Sequence, residues 1–210
     1  MSVEKVLIIG VGRSGTTTLI KALGTLLNLK QCGEPWNRQV RKGVDIPEKD
    51  VISNYGIVKT LIGHMPLNYA AGGSKKEYWD NCVSFYRNFV PNYDKVILLS
   101  RKERKGIALS AAHQFSRPFP DREWHQPYTA LPEGELTLNM GHANRACDAI
   151  EKLSKLINVP MTWYEDLYSG DHTKILESIE KWGIGVTVKD LYQFVDPKYR
   201  LRREVKKTLL

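Results

Sequence analysis

Residues 6–19, VLIIGVGRSGTTTL, decide how the rest of the chain is read. Val6 to Ile9 is an uncharged, largely β-branched run, which suits a strand covered on both faces. Gly10, Gly12 and Gly15 follow at once, and Thr16, Thr17 and Thr18 lead on into a helical pattern of Leu19, Leu23, Leu26 and Leu27. Strand, glycine turn and helix form the layout in which backbone N–H groups and a helix N-terminus face an anion. The stretch reads as a phosphate-binding loop.

Several readings of that loop compete. GVGRSG satisfies the dinucleotide fingerprint G-x-G-x-x-G. That fingerprint also needs a second strand ending in an acid about 20 residues on. Glu34 stands at that distance, but LLNLKQCGEP makes a poor strand. Gly10 and Gly15 have the spacing of a nucleoside-triphosphate loop, yet Thr16 occupies the lysine position. Arg13 is the cation this loop carries instead. A turn that binds nothing is the bland alternative, and three glycines, an arginine and three hydroxyls at one strand end argue against it.

The remaining composition sets bounds. A chain of 210 residues suffices for one domain, taken over 1–210, with a sizeable core. With 42% hydrophobic and 26% charged residues, the composition is that of a globular protein. The net charge of +8 suits an anionic ligand. Basic residues are scattered except at Arg200–Arg203 and Lys206–Lys207, so nucleic acid is not the expected partner. Cys32, Cys82 and Cys147 lie far apart without a C-x-x-C, so neither a disulfide framework nor a metal site is expected. The first strand starts within six residues of Met1, which leaves no room for a signal peptide. No apolar run approaches the roughly 20 residues that span a bilayer. The expectation is a cytoplasmic protein without a membrane span.

Along the chain, Gly33 and Pro35 bracket Glu34 and put it on a turn. Residues 38–54 read as a loop or short helix. Tyr55 to Val58 reads as a second strand, with Lys59 and Thr60 at its end and His64 four residues after Thr60. The stretch 70–76 is a turn that opens a helix over Lys75–Phe89. Its stripe of Tyr78, Trp79, Cys82, Val83, Tyr86 and Phe89 reads as core packing. Lys95–Ser100, KVILLS, is the third clear strand, followed by Arg101 and a helix carrying Ile107, Leu109, Ser110 and Ala111. Residues 113–139 hold four prolines and several aromatics and read as one long irregular lid. Gly141–Ile157 reads as an amphipathic helix and Val159–Tyr164 as a fourth strand. Glu165 and Asp166 are expected to cap and brace the next turn. Asp171 is expected to cap a helix over Thr173–Trp182 that Gly183 ends. The basic tail closes over the ligand or forms a solvated helix end. This alternation predicts a three-layer α/β domain with a mainly parallel sheet and a P-loop-like nucleotide-binding topology.

Four stretches in order, RSGTT (13–17), CGEP (32–35), SRKER with a serine at 110, and YEDL (164–167), resemble landmarks of the sulfotransferases. These enzymes use 3′-phosphoadenosine 5′-phosphosulfate (PAPS). The resemblance covers most of the chain and is nearest in character to the bacterial trehalose-type and tyrosylprotein enzymes. It implies that Gly12, Arg13, Ser14, Gly15, Thr16 and Thr17 hold the 5′-phosphosulfate. It implies that Arg101 and Ser110 grip the 3′-phosphate and that Tyr164 touches the nucleotide. Glu34 is then the leading general base. Lys59 and Thr60 with His64 resemble the K-T-H of the cytosolic enzymes, which implies that Lys59 acts on the transferred group and makes His64 the second candidate base. The implied reaction moves a sulfuryl group from PAPS to an acceptor hydroxyl or amine and leaves 3′,5′-ADP, with 113–139 closing over the acceptor. Sugars, lipids, peptides and small phenols all stay open as acceptors, and so does the oligomeric state. The alternatives are a P-loop kinase of small metabolites and a non-catalytic nucleotide-binding or nucleic-acid-binding protein.

Overall fold

The computed structural model describes residues 5–37, 41–70, 74–115 and 133–193. The run at Val6–Gly10 forms β1, every residue of it buried. Four further strands flank it, namely β2 (Gln31–Gly33), β3 (Ile57–Leu61), β4 (Lys95–Ser100) and β5 (Met161–Trp163). All pairings are parallel, in the order β2-β3-β1-β4-β5. The strand ends therefore share one edge, the edge at which ligands bind in open α/β sheets.

Alternation along the strands sorts the core into two layers. Val6 and Ile8 of β1 and Ile57 of β3 face helices α1 (Thr16–Leu26), α7 (His172–Glu180) and α8 (Val188–Tyr192). Leu7, Ile9 and Val58 face the other side, where α2 (Glu48–Asn54), α3 (Lys75–Phe89), α4 (Arg104–Phe115) and α5 (Glu133–Ile157) pack. A one-turn helix, α6 (Tyr164–Leu167), follows β5. The result is the three-layer parallel α/β fold that the sequence predicts. Among the described residues no helix is long and apolar enough to cross a membrane.

Several boundaries differ from expectation. Residues 31–33 do form a strand, β2, held at the sheet edge by pairing with β3. Glu34 thus follows a strand end. The dinucleotide reading still fails, because that fold sets the second strand beside the first, whereas here β3 lies between them. Lys59 and Thr60 are inside β3 rather than after it. The segment 113–139 is helical at both ends, where α4 runs to Phe115 and α5 starts at Glu133, and 116–132 lies outside the described residues. Tyr164 opens α6 instead of closing β5. The basic tail lies outside the described residues. Asp171 caps α7 through Thr173 and Lys174, as expected.

Candidate functional site

The loop after β1 is built to turn backbone inward. Arg13 (φ 68°) and Gly15 (φ 84°) both adopt the left-handed conformation. Gly15 is the N-cap of α1, which has no side-chain cap and no acidic residue in its first turn. The α1 N-terminus accordingly keeps its positive partial charge. Two glycines are required by contact. A Cβ on Gly10 would press on Thr16 and Leu99, and one on Gly15 would lie 2.7 Å from the Tyr168 ring. The Tyr168 hydroxyl also donates to the Gly15 carbonyl at 3.1 Å, tying the loop to the chain after α6.

The hydroxyls of the loop divide by direction. Ser14 is fully buried and donates to the Val11 carbonyl at 2.6 Å. Thr16 is buried as well. The Ser14 hydroxyl ties the loop to its own backbone and lies against the Leu99 carbonyl. Thr17 is exposed, and its Oγ1 accepts a hydrogen bond from Lys59 Nζ at 3.3 Å. Lys59 reaches it because Lys59 and Ile57, two apart on β3, point to the α1 side of the sheet.

Lys59 also pairs with Glu34. Their meeting depends on β2. The Glu34 N–H donates to the Lys59 carbonyl at 2.7 Å, and the left-handed Glu34 backbone (φ 52°) turns the chain at the end of the ladder. One carboxylate oxygen takes Lys59 and the other takes Asn37. His64 Nδ1 lies 3.8 Å from that second oxygen, too far for a hydrogen bond. Burial works to raise the pKa of Glu34, but Lys59, Asn37 and His64 outweigh it and hold the carboxyl below its ordinary range. Burial also lowers His64; Glu34 opposes this, while Lys59 and His142 add to it.

His64 is positioned by α3. The Tyr86 hydroxyl is within bonding distance of the Thr60 hydroxyl (2.7 Å) and the Leu61 carbonyl (2.9 Å), and it donates to the His64 carbonyl. Tyr78 donates to the Gly63 carbonyl at 2.5 Å. The stripe read as packing from its spacing thus also fixes the turn 61–64 by its polar tips. Spacing alone has no sign for that.

A second basic group lies on the β4 side. Arg13 Nε donates to Ser110 Oγ on α4 at 2.8 Å. Arg101 is buried, with its guanidinium 4.3 Å over the Tyr164 ring and Nη1 within 3.5 Å of the Arg13 carbonyl. Glu165 approaches Arg101 Nε at 3.5 Å and accepts from the Lys102 N–H at 2.9 Å, while Asp166 accepts from Lys102 Nζ at 2.8 Å. These acids brace the β4–α4 loop, a set of contacts beyond the next turn that the sequence reading gives them. Among the described residues no group of three or more His, Cys, Asp or Glu side chains is placed to hold a metal ion.

All the sequence-predicted residues therefore gather at the strand-end edge, in two sets joined by the loop: Thr17, Lys59, Glu34 and His64 on the β3 side, and Arg13, Ser110, Arg101 and Tyr164 on the β4 side. Sequence reasoning missed Asn37, Tyr86, Tyr168, Trp79 and His142. A partly open cavity of about 70 Å³ adjoins the β3 set, lined by Gly12, Leu61, Gly63, His64, Trp79 and His142 among others. No protein-family model matches the chain, and a search of curated proteins finds no match.

Proposed function

We propose that the protein is a sulfotransferase that moves a sulfuryl group from PAPS to an acceptor hydroxyl. The observation that carries this reading is the Lys59 ammonium on the Thr17 hydroxyl. In a nucleoside-triphosphate loop the hydroxyl at that position holds Mg²⁺, and a loop lysine reaches the terminal phosphates. Here a strand lysine supplies the cation at that hydroxyl, and Thr16 replaces the loop lysine. A fixed ammonium suits transfer of a singly charged sulfuryl group, where positioning and electrostatics carry most of the rate.

In this reading the loop amides and the α1 N-terminus bind the 5′-phosphate. Arg13 and Lys59 neutralise charge on the bridging and sulfuryl oxygens. Arg101 and Ser110 hold the 3′-phosphate, with Tyr164 against the nucleotide. Two contacts favour His64 over Glu34 as the base. Both Glu34 oxygens are taken by Lys59 and Asn37, which makes the carboxylate a poor proton acceptor. His64 is held neutral by burial and has that carboxylate behind its Nδ1. The acceptor oxygen attacks sulfur and gives its proton to His64. The bond from sulfur to the phosphate oxygen breaks, and 3′,5′-ADP leaves. Glu34 stabilises the imidazolium that forms.

The test is release of 3′,5′-ADP from PAPS in the presence of EDTA, across sugar, phenol and peptide acceptors. Release with at least one acceptor supports the reading. Mg²⁺-dependent consumption of ATP, with PAPS left intact, would instead support a P-loop kinase, the reading that the Gly10–Gly15 spacing favours.

A further inference from the structure

Asn37 stands three residues after Glu34, where a short polar side chain can reach back across a turn. The turn itself is held by other groups. The left-handed Glu34 backbone (φ 52°) bends the chain, and the Asn37 N–H donates to the Glu34 carbonyl at 3.2 Å. Arg41 Nη2 donates to the Gly33 carbonyl at 2.8 Å. Trp36 is buried edge-on to Phe85 and Phe89, and its Nε1 donates to the Ile46 carbonyl at 3.0 Å. The place of the Asn37 side chain is therefore set by its neighbours, and its amide is available for another task.

That amide donates to Glu34 Oε2, the oxygen that faces His64. His64 Nδ1 lies 3.8 Å from it, beyond hydrogen-bond range. Nδ1 is buried and has no hydrogen-bond partner among the described residues. Lys59 holds Oε1 and Asn37 holds Oε2, so the carboxylate is fixed from both ends and does not swing across to Nδ1. The other groups around the ring do not replace it. Lys59 on β3 and His142 on α5 both disfavour an imidazolium, as burial does foremost, and Glu34 alone favours one. From α3, the Tyr78 and Tyr86 hydroxyls reach the Gly63 and His64 carbonyls rather than the ring. What restrains Glu34 thus decides how readily His64 takes a proton.

We infer that Asn37 is the positioning residue of this pair: its amide holds Glu34 Oε2 off His64 Nδ1, so the imidazole meets its substrate neutral and with the acid at a distance. Removing the amide releases Oε2 to accept from Nδ1–H, which favours the imidazolium. The word substrate rests on the sulfotransferase reading; the contact and its effect on His64 rest on the geometry alone.

The test is an NMR titration of the imidazole resonances of the full chain, with the His64 signals assigned through His64→Gln. Asn37→Leu removes the donor at similar size and should raise the titration midpoint of His64 by about half a unit or more. Asn37→Ala, smaller and without a branched side chain to place, carries the same expectation where leucine disturbs the turn. In a Glu34→Gln background, Asn37→Leu should leave the midpoint where Glu34→Gln alone puts it, because the amide acts through that carboxylate. A loosened turn would instead move His64 in both backgrounds. A midpoint that stays or falls on removing the amide, or a rise that persists without the Glu34 charge, would overturn the inference. With PAPS and an acceptor, the acid limb of the pH–rate profile should rise together with the midpoint. The two claims fail separately. A raised midpoint in a protein that transfers nothing from PAPS refutes the sulfotransferase reading and leaves the role of Asn37 standing, whereas transfer with an unmoved midpoint refutes the role of Asn37 alone.

Discussion

Glu34 is an acid whose two oxygens are both in use, and that fixes what it can do. Held ionised by Lys59, it serves as the countercharge behind His64. If the proposed sulfotransferase reading holds, His64→Ala should lower sulfuryl transfer by about 10²–10⁴, the usual worth of a general base. Glu34→Gln should cost a smaller factor and leave a distinct mark. Removing the negative charge beside His64 takes away the influence that raises its pKa, so the acid limb of the pH–rate profile should move to lower pH. An unmoved limb, or a larger loss from Glu34→Gln than from His64→Ala, would return the base role to Glu34. The residue types here were legible in the sequence. Their pairing was not, since Lys59 and Glu34 meet only through the β2–β3 ladder.

At the scale of elements, the long apolar or strongly periodic segments declare themselves. β4 and α3 have the bounds that KVILLS and the aromatic stripe predict. β2 escapes because Gln-Cys-Gly has no strand preference of its own and is extended only by pairing with β3. The first turns of α5 escape because residues 133–139 are mostly polar and follow a proline. The link from α3 to the site is likewise invisible in periodicity, and it carries a prediction. Tyr86→Phe deletes the hydroxyl that joins Thr60 to the turn at His64 and leaves buried polar groups without their partner, at a cost of about 1–3 kcal/mol. Urea denaturation reads this directly. A loss below a few tenths of a kcal/mol would mean that the turn holds itself.

Across the whole molecule, acid should act in two stages. His64 is held below its ordinary pKa, by burial foremost, so the unfolded chain takes up its proton first as pH falls. Its stability contribution is full above about pH 6.5 and is lost as pH drops from there towards the folded value. Glu34 is also depressed, through Lys59, Asn37 and His64 against the opposing effect of burial. Its contribution is full above about pH 4.3 and is lost as pH falls through its folded value. The melting temperature should fall from pH 7 to 5 and again below 4.5, and His64→Gln should flatten the first stage only. A melting temperature that rises from pH 7 to 5 would contradict this. The parallel sheet gathers the loop cations, Lys59 and the acids at one edge, and the sulfotransferase reading makes that edge a site for a nucleotide phosphorylated at both 3′ and 5′ positions. Calorimetric titration with 3′,5′-ADP, ADP and ATP, each with Mg²⁺ and with EDTA, tests it most directly. The account predicts that 3′,5′-ADP binds at least tenfold more tightly than the others, with no change on adding EDTA, and that Arg101→Ala erases the preference. Equal affinities for ADP and 3′,5′-ADP, or tight binding of ATP that requires Mg²⁺, would contradict it.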